Sequence, residues 1–372
     1  MKSQLAAEKI TTLLTLTVLI IITACKSSGD NNNEYYRVDD FSKVKKIDVH
    51  AHVDTDDPAM VEQAKKDNVL LISVNVDVPG ATPIDSQQYY VLQQRHQFPE
   101  DIYYVTTFEA ATINEPGWID KQLAYLKNSF DSGALGIKVW KNIGMTIKNK
   151  NGKFIMIDDP VFDPIFNYLE KNDIPVIGHL GEPKNCWLPL DQMTTNNDRN
   201  YFRDHPQYYM YLHPEYPSYD TIIRSRDHLL EKHPNLRFIG AHLASLEWDV
   251  DEIAKRLDKF PNMAVEPAAR MGQLQYQSLT NWQKVHDFFI KYQDRIMYGT
   301  DLDAMKGDNP DSVRKKVHDW WMRDWTYLTT GDSLRSPFVD KKFKGLQLPK
   351  EVVDKIYHKN AEKWYFDKRK GK

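Results

Sequence analysis

His50 and His52, separated by one residue, are the first groups in this chain whose spacing suggests chemistry. On a β-strand, residues i and i+2 share a face, so the two imidazoles would project together, about 7 Å apart along the backbone. That geometry suits two ligands of one borderline metal ion, although an isolated His-x-His is weak evidence. Other strand-like runs end in groups of the same kind. DIPVIGH (173–179) ends in His179, NLRFIGAH (235–242) in His242 and DRIMYGTD (294–301) in Asp301. Lys138 lies near the end of ALGIKVW (134–140), and Asp48 precedes the histidine pair. A hydrophobic core does not collect such residues at strand ends. Histidine and carboxylate with an open position suit zinc, or a similar divalent ion, holding an activated water. Such an ion lowers the pKa of water from about 15.7 to about 7 and polarises a carbonyl. Asp301 can then take the proton and pass it to the leaving group, while His242 stabilises developing charge or shares the transfer. Glu266, closing NMAVEP (262–267), and Arg270 beyond it are candidates for substrate recognition, with a surface ion pair as the alternative. Glu182 ranks below them, as a lid residue or a neighbour of a ligand.

The elements that must carry these groups alternate along the chain. VKKIDVH (44–50), NVLLISVNV (68–76) and DIYYVTTF (101–108) join the runs above to give eight strand candidates with amphipathic stretches between them. Strands alternating with crossover helices describe a parallel α/β architecture. The absence of a glycine-rich first turn favours a closed (β/α)8 TIM barrel over an open doubly wound sheet. In such a barrel the C-terminal strand ends meet over one mouth, where active sites are built. Long insertions follow strand five (181–218) and strand eight (302–347), and both are expected to be lids or binding loops, with oligomer contact or surface decoration as the alternative. Their aromatic residues, among them Trp187, Tyr201, Tyr208, Tyr209, Trp320, Trp321 and Trp325, either stack on substrate rings or pack on each other.

Composition narrows the class. The 372 residues are 41% hydrophobic and 27% charged, which excludes disorder and coiled coil. A net charge of −3 is too balanced for a nucleic-acid binder. Lys2 and Lys9 precede an apolar stretch, Ile10 to Ala24, that is shorter than the roughly 20 residues of a membrane span. It ends in Ile22-Thr23-Ala24-Cys25, which resembles a bacterial lipoprotein signal. The expected organisation is a signal peptide over 1–24, a lipidated Cys25 with a flexible tether over 25–43, and a barrel domain over 44–372. The protein would then sit on a membrane in the bacterial cell envelope, facing the periplasm or the exterior. Its partners would be lipid and a small-molecule substrate, with oligomeric state left open. Cys186 remains as a lone thiol, expected to be a loop or packing residue.

The order His-x-His, Lys, His, His, Asp on barrel strands resembles the amidohydrolase superfamily. The segments LRFIGAHL, RIMYGTDL and LPKEVVDKIYHKNAEKWY resemble its amidohydrolase-related branch, which also contains aminocarboxymuconate-semialdehyde decarboxylase and sugar-lactone and pyrone hydrolases. The resemblance implies His50, His52, His179 and Asp301 as metal ligands, with His242 in acid/base steps. It also matches Lys138 to the position where two-metal members carry a carboxylated, bridging lysine, although this branch usually lacks that bridge. Lys138 therefore stands open between metal bridge, substrate-carboxylate contact and barrel-layer residue. The implied cofactor is one zinc ion, with manganese or a second ion as alternatives. The leading expectation is a metal-dependent hydrolase of a small carbonyl substrate, a lactone, ester or amide, sugar-derived substrates included. The alternatives are a non-oxidative decarboxylase and a catalytically dead ligand-binding lipoprotein.

Overall fold

The computed structural model describes residues 34–367. The expected signal peptide, Cys25 and the polar segment 26–33 lie outside the described residues. The folded body starts at Glu34, ten residues before the expected boundary at 44. The physical reason is aromatic. Tyr36 packs on Trp325 at 5.4 Å between ring centroids, and Phe41 is buried against the same indole.

Eight parallel strands run β1 (Lys46–Asp54), β2 (Val69–Val74), β3 (Ile102–Thr107), β4 (Ile137–Val139), β5 (Val176–Gly178), β6 (Phe238–Gly240), β7 (Met263–Val265) and β8 (Leu302–Met305). They pair in chain order from β1 to β7, with β8 on the outer side of β1. The segment before β8 completes the ring, since Ile296 bridges Val265 while Val49 N–H donates to Tyr298 O. This is the TIM barrel that the alternation predicts, with helices such as Trp118–Asp131, Asp163–Lys171 and Val250–Lys259 around it.

Two local departures decide where the chemistry points. Strand β1 runs past the histidine pair to Asp54, because its second half pairs with β8 (Ala51 with Leu302, His52 with Asp303). His50 and His52 therefore lie within the strand rather than at its end. Its pairing with β2 also skips between Asp48 and Ala51. Ile47 and Val49 belong to the barrel interior, whereas Ala51 and Val53 join the layer beneath the helices. The irregularity thus changes which parity faces inward and turns both histidines into the barrel. Asp48 is left facing outward, where its Oδ2 accepts from Trp321 Nε1 at 3.0 Å.

The second departure concerns the insertions. Residues 184–212 form short 3-10 turns and the helix Asn196–Asp204, with Cys186, Phe202 and Met210 buried. Cys186 donates its S–H to Tyr208 O, and burial pushes the thiol pKa up, so it packs as expected. The segment 302–347 is not a binding loop. It contains the crossover helix Pro310–Thr329 and a hairpin, Ser333–Ser336 with Val339–Lys344. Trp321 and Trp325 are wholly buried in the core and cannot stack on a ligand.

Behind β1, Asp324 is fully buried, accepts from Tyr298 Oη at 3.1 Å and leaves Oδ1 unpartnered. Burial pushes its pKa up to about 7. A carboxyl raised from 3.8 favours folding fully below pH 4, where folded and unfolded chains both hold the proton. That contribution, on the order of 4 kcal/mol, is lost as pH rises toward 7. Asp324→Asn should therefore gain stability relative to the parent between pH 4 and 7. Denaturant melts that track each other across this range would refute the assignment.

Candidate metal centre

The mouth of the barrel brings together five of the residues expected there. His50 and His52 stand with ring centroids 5.3 Å apart, and His50 and His242 with 5.1 Å. His242 lies 4.1 Å from His179, centroid to centroid. Asp301 Oδ1 is 3.1 Å from His52 Nε2 and 3.3 Å from His50 Nε2. All five are buried or partly buried.

Each of three imidazoles is fixed from behind through Nδ1. His50 Nδ1 meets Glu266 Oε1 at 2.8 Å, His52 Nδ1 meets Val74 O at 2.7 Å, and His242 Nδ1 meets Ala268 O at 2.8 Å. With Nδ1–H donating to these oxygens, each Nε2 presents a lone pair forward. Histidine ligands of metals are oriented in this way. His179 Nε2 is buried and has no hydrogen-bond partner among the described residues. A buried, unpartnered nitrogen is costly unless a ligand or ion completes it. The donor set fits a divalent cation, and clusters of His50, His52, Asp301 and of His50, His242, Glu266 each lie within metal-binding reach.

The electrostatics of His50, His179 and His242 agree with that fit, whereas at His52 burial is outweighed by the hydrogen bond to Asp301 and the pKa is raised. Burial holds the pKa of His50 and His179 well below the ordinary value and lowers His242 to about 3. Metal-binding imidazoles must be neutral. Burial alone would raise Asp301, but the imidazoles of His242, His50 and His52 outweigh it and hold the carboxyl well below the usual range. Burial lowers Lys138 to about 8, with Asp301 and Glu266 pulling the other way. Its Nζ stands 3.1 Å from His50 Nε2. The ring of Trp140 lies near Lys141 Nζ, at 5.4 Å.

Local backbone makes this geometry. After β6 the chain enters a left-handed turn, with positive φ at His242, Leu243, Ala244 and Ser245. Each such residue costs roughly 1–2 kcal/mol. Several contacts hold the turn: Glu266 Oε1 accepts from His242 N at 3.1 Å, Tyr219 Oη donates to Ser245 O at 2.6 Å, and Arg226 donates to Ala244 O. Gly240 is required because a Cβ there would stand 2.4 Å from Ala244 Cβ. Asp301 also has positive φ, at 67°, so the chain kinks between the 296–298 segment and β8 and turns this carboxylate inward.

Glu266 was read as a substrate contact or a surface ion pair. It is wholly buried, with Oε1 on His50 and Oε2 on Ala268 N, so the surface pair does not exist. Asp48 orders the floor of the site: its Oδ1 accepts from His50 N at 3.2 Å and Thr300 N at 3.1 Å. Sequence reasoning gave it no role, although its Asp-x-His-x-His spacing was visible. Lys141 and Glu182 form an ion pair at the mouth, and Lys141 was not singled out. Glu266→Gln should weaken metal affinity by about 10- to 100-fold while the barrel stays folded. Unchanged affinity in a competition titration with a chelator would exclude Glu266 as the partner that orients His50.

Imidazoles and a carboxylate converging on the mouth of a parallel barrel define a metal-binding TIM-barrel enzyme. The chain belongs to the amidohydrolase family, whose family profile matches residues 47–366. Among solved structures, 2,6-dihydroxybenzoate decarboxylase from Rhizobium aligns with a TM-score of 0.51 at 16% identity, covering 87% of this chain and 98% of its own. Dihydroxybenzoic acid decarboxylase from Polaromonas sp. JS666, with bound manganese and 2-nitroresorcinol, gives 0.50 at 15% identity, covering 87% and 97%. At such identities the likeness is one of fold. No curated protein matches the sequence.

Proposed function

We propose that the chain is a metal-dependent hydrolase that adds water to a small carbonyl substrate, a lactone, ester or amide. His50, His52, His179 and Asp301 would hold one divalent ion, zinc or manganese. When bound, that ion supplies Lewis acidity, acidifying water and polarising a carbonyl. The observation that carries the reading is Asp301, an ionised carboxylate whose contacts to both His50 and His52 fall on one oxygen. Its second oxygen can accept the proton of the attacking water and deliver it to the leaving group. His242, neutral and fixed through Nδ1, directs Nε2 at the same space and can accept a hydrogen bond from the reacting water. Lys138 Nζ brings a donor within 3.1 Å of His50 Nε2, where it can meet negative charge on the substrate oxygen. The proposal also puts the reaction at the bacterial cell envelope, held there through an acylated Cys25.

A second reading, non-oxidative decarboxylation, is favoured by the two decarboxylases of similar fold. Assays on paired libraries of sugar lactones and aromatic acids separate the two. Acid release from lactones without carbon dioxide supports hydrolysis, whereas carbon dioxide release from the acids overturns it in favour of decarboxylation.

A further inference from the structure

Ser245 stands in backbone that serine rarely adopts. It closes the left-handed turn after β6 with φ 54°, behind three residues that also have positive φ. Glycine enters such backbone freely, whereas a β-carbon there costs energy. Strain of this kind persists only where the surroundings over-determine it, and it gathers at functional sites. Ser245 is 1% exposed, and its Oγ donates to Gly181 O at 2.8 Å. Gly181 lies two residues beyond His179, and Ser245 three beyond His242. One buried hydrogen bond therefore ties the turn that carries His179 to the turn that carries His242. The rings of those two histidines stand 4.1 Å apart between centroids.

A single helix backs both turns. Tyr219, Ile222 and Arg226 lie at i, i+3 and i+7 of the helix Tyr219–Lys232, on one face, and all three are buried. Tyr219 Oη donates to Ser245 O at 2.6 Å, and Arg226 Nη1 donates to Ala244 O. Ile222 lies against Gly181, where a β-carbon would stand 3.3 Å from Ile222 Cγ2. The phenol of Tyr219 is held in turn, since Trp248 Nε1 donates to its Oη at 2.8 Å. Arg226 is held by Asp227, whose Oδ1 accepts from its Nε at 3.1 Å. The helix fixes each turn from behind, and the Ser245 hydroxyl fixes the two turns to each other.

We infer that Ser245 is a positioning residue of the metal centre, setting through Gly181 the distance between His179 and His242. The inference rests on the proposed reading of His179 as a ligand and adds the group that spaces it from the proton-transfer histidine. Without the hydroxyl, Gly181 O loses its buried donor and the turn after β5 is free to shift. Such a shift moves His179 relative to His50, His52 and Asp301, and a donor set grips an ion only while its members are held in place.

Two variants separate this role from a merely structural one. Ser245→Ala removes the hydroxyl and keeps the backbone strain, whereas Ser245→Gly removes both. Ser245→Gly should therefore keep the parent's denaturation midpoint, while Ser245→Ala should fall below it. Both full-length variants should bind cobalt(II) about tenfold more weakly than the parent, with the visible absorption bands of the bound ion displaced. Parent affinity and parent bands in both variants overturn the inference. So does a loss confined to Ser245→Ala, because affinity would then follow stability alone. The metal-free protein gives a second readout, by NMR of histidine-labelled samples. The ring resonances of His179 and His242 should move in both variants, and those of His318, which packs on Phe41, should not. Unmoved resonances of His179 and His242 overturn the inference. If the parent takes up no cobalt, the metal reading fails, and these resonances alone decide the role of Ser245.

Discussion

Asp301→Asn is expected to lower turnover by about 10³-fold or more while the barrel remains folded. The expected size follows from what proton transfer by a placed side chain contributes, 10²–10⁴-fold. Asn keeps the shape and one oxygen that can face His50 and His52, but it cannot take a proton from the attacking water. Because Asp301 is also read as a ligand, the variant should bind its metal more weakly, and turnover must be measured at saturating metal. If saturating metal restores full activity, Asp301 is a ligand without a proton-transfer role, and the hydrolytic mechanism fails.

His52→Ala should have the other large effect, loss of both bound metal and activity. His52 presents Nε2 to the site with its ring fixed by Val74 O. The fold should survive, since the substitution removes two hydrogen bonds, each worth about 1 kcal/mol, from the rim of a large core. Circular dichroism should be unchanged and mass spectrometry should find little metal. A variant that keeps full metal occupancy would remove His52 from the ligand set.

Much of this site was readable because its residues are of the wrong type for where they stand. His179 and His242 close apolar strands, and Asp301 follows the Gly-Thr pair after RIMY, where a core would not place ionisable groups. Alternation of strands and helices then led to the barrel, and the barrel to convergence at one mouth. What stayed hidden depends on backbone that a period of two cannot express. The skipped pairing between Asp48 and Ala51 decides that His50 faces inward and Asp48 outward. The left-handed turn at 242–245 is signalled only by Gly240, and a single glycine has many explanations. Glu266 reaches His50 across 216 positions of sequence, a pairing that no local pattern encodes. Trp321 and Trp325 were ambiguous for another reason. Their helix occupies the place of an insertion, and aromatic residues suit a lid or a core equally until the packing is known.

Metal content of the purified full-length protein, measured by inductively coupled plasma mass spectrometry, tests the central claim most directly. The account predicts close to one equivalent of a divalent ion per chain, with none retained when His179 is replaced by alanine together with His52. A parent protein that takes up no divalent ion after incubation with zinc and with manganese would contradict it. Two equivalents, one of them lost in Lys138→Ala, would instead make Lys138 a bridge between two ions and assign His242 to the second.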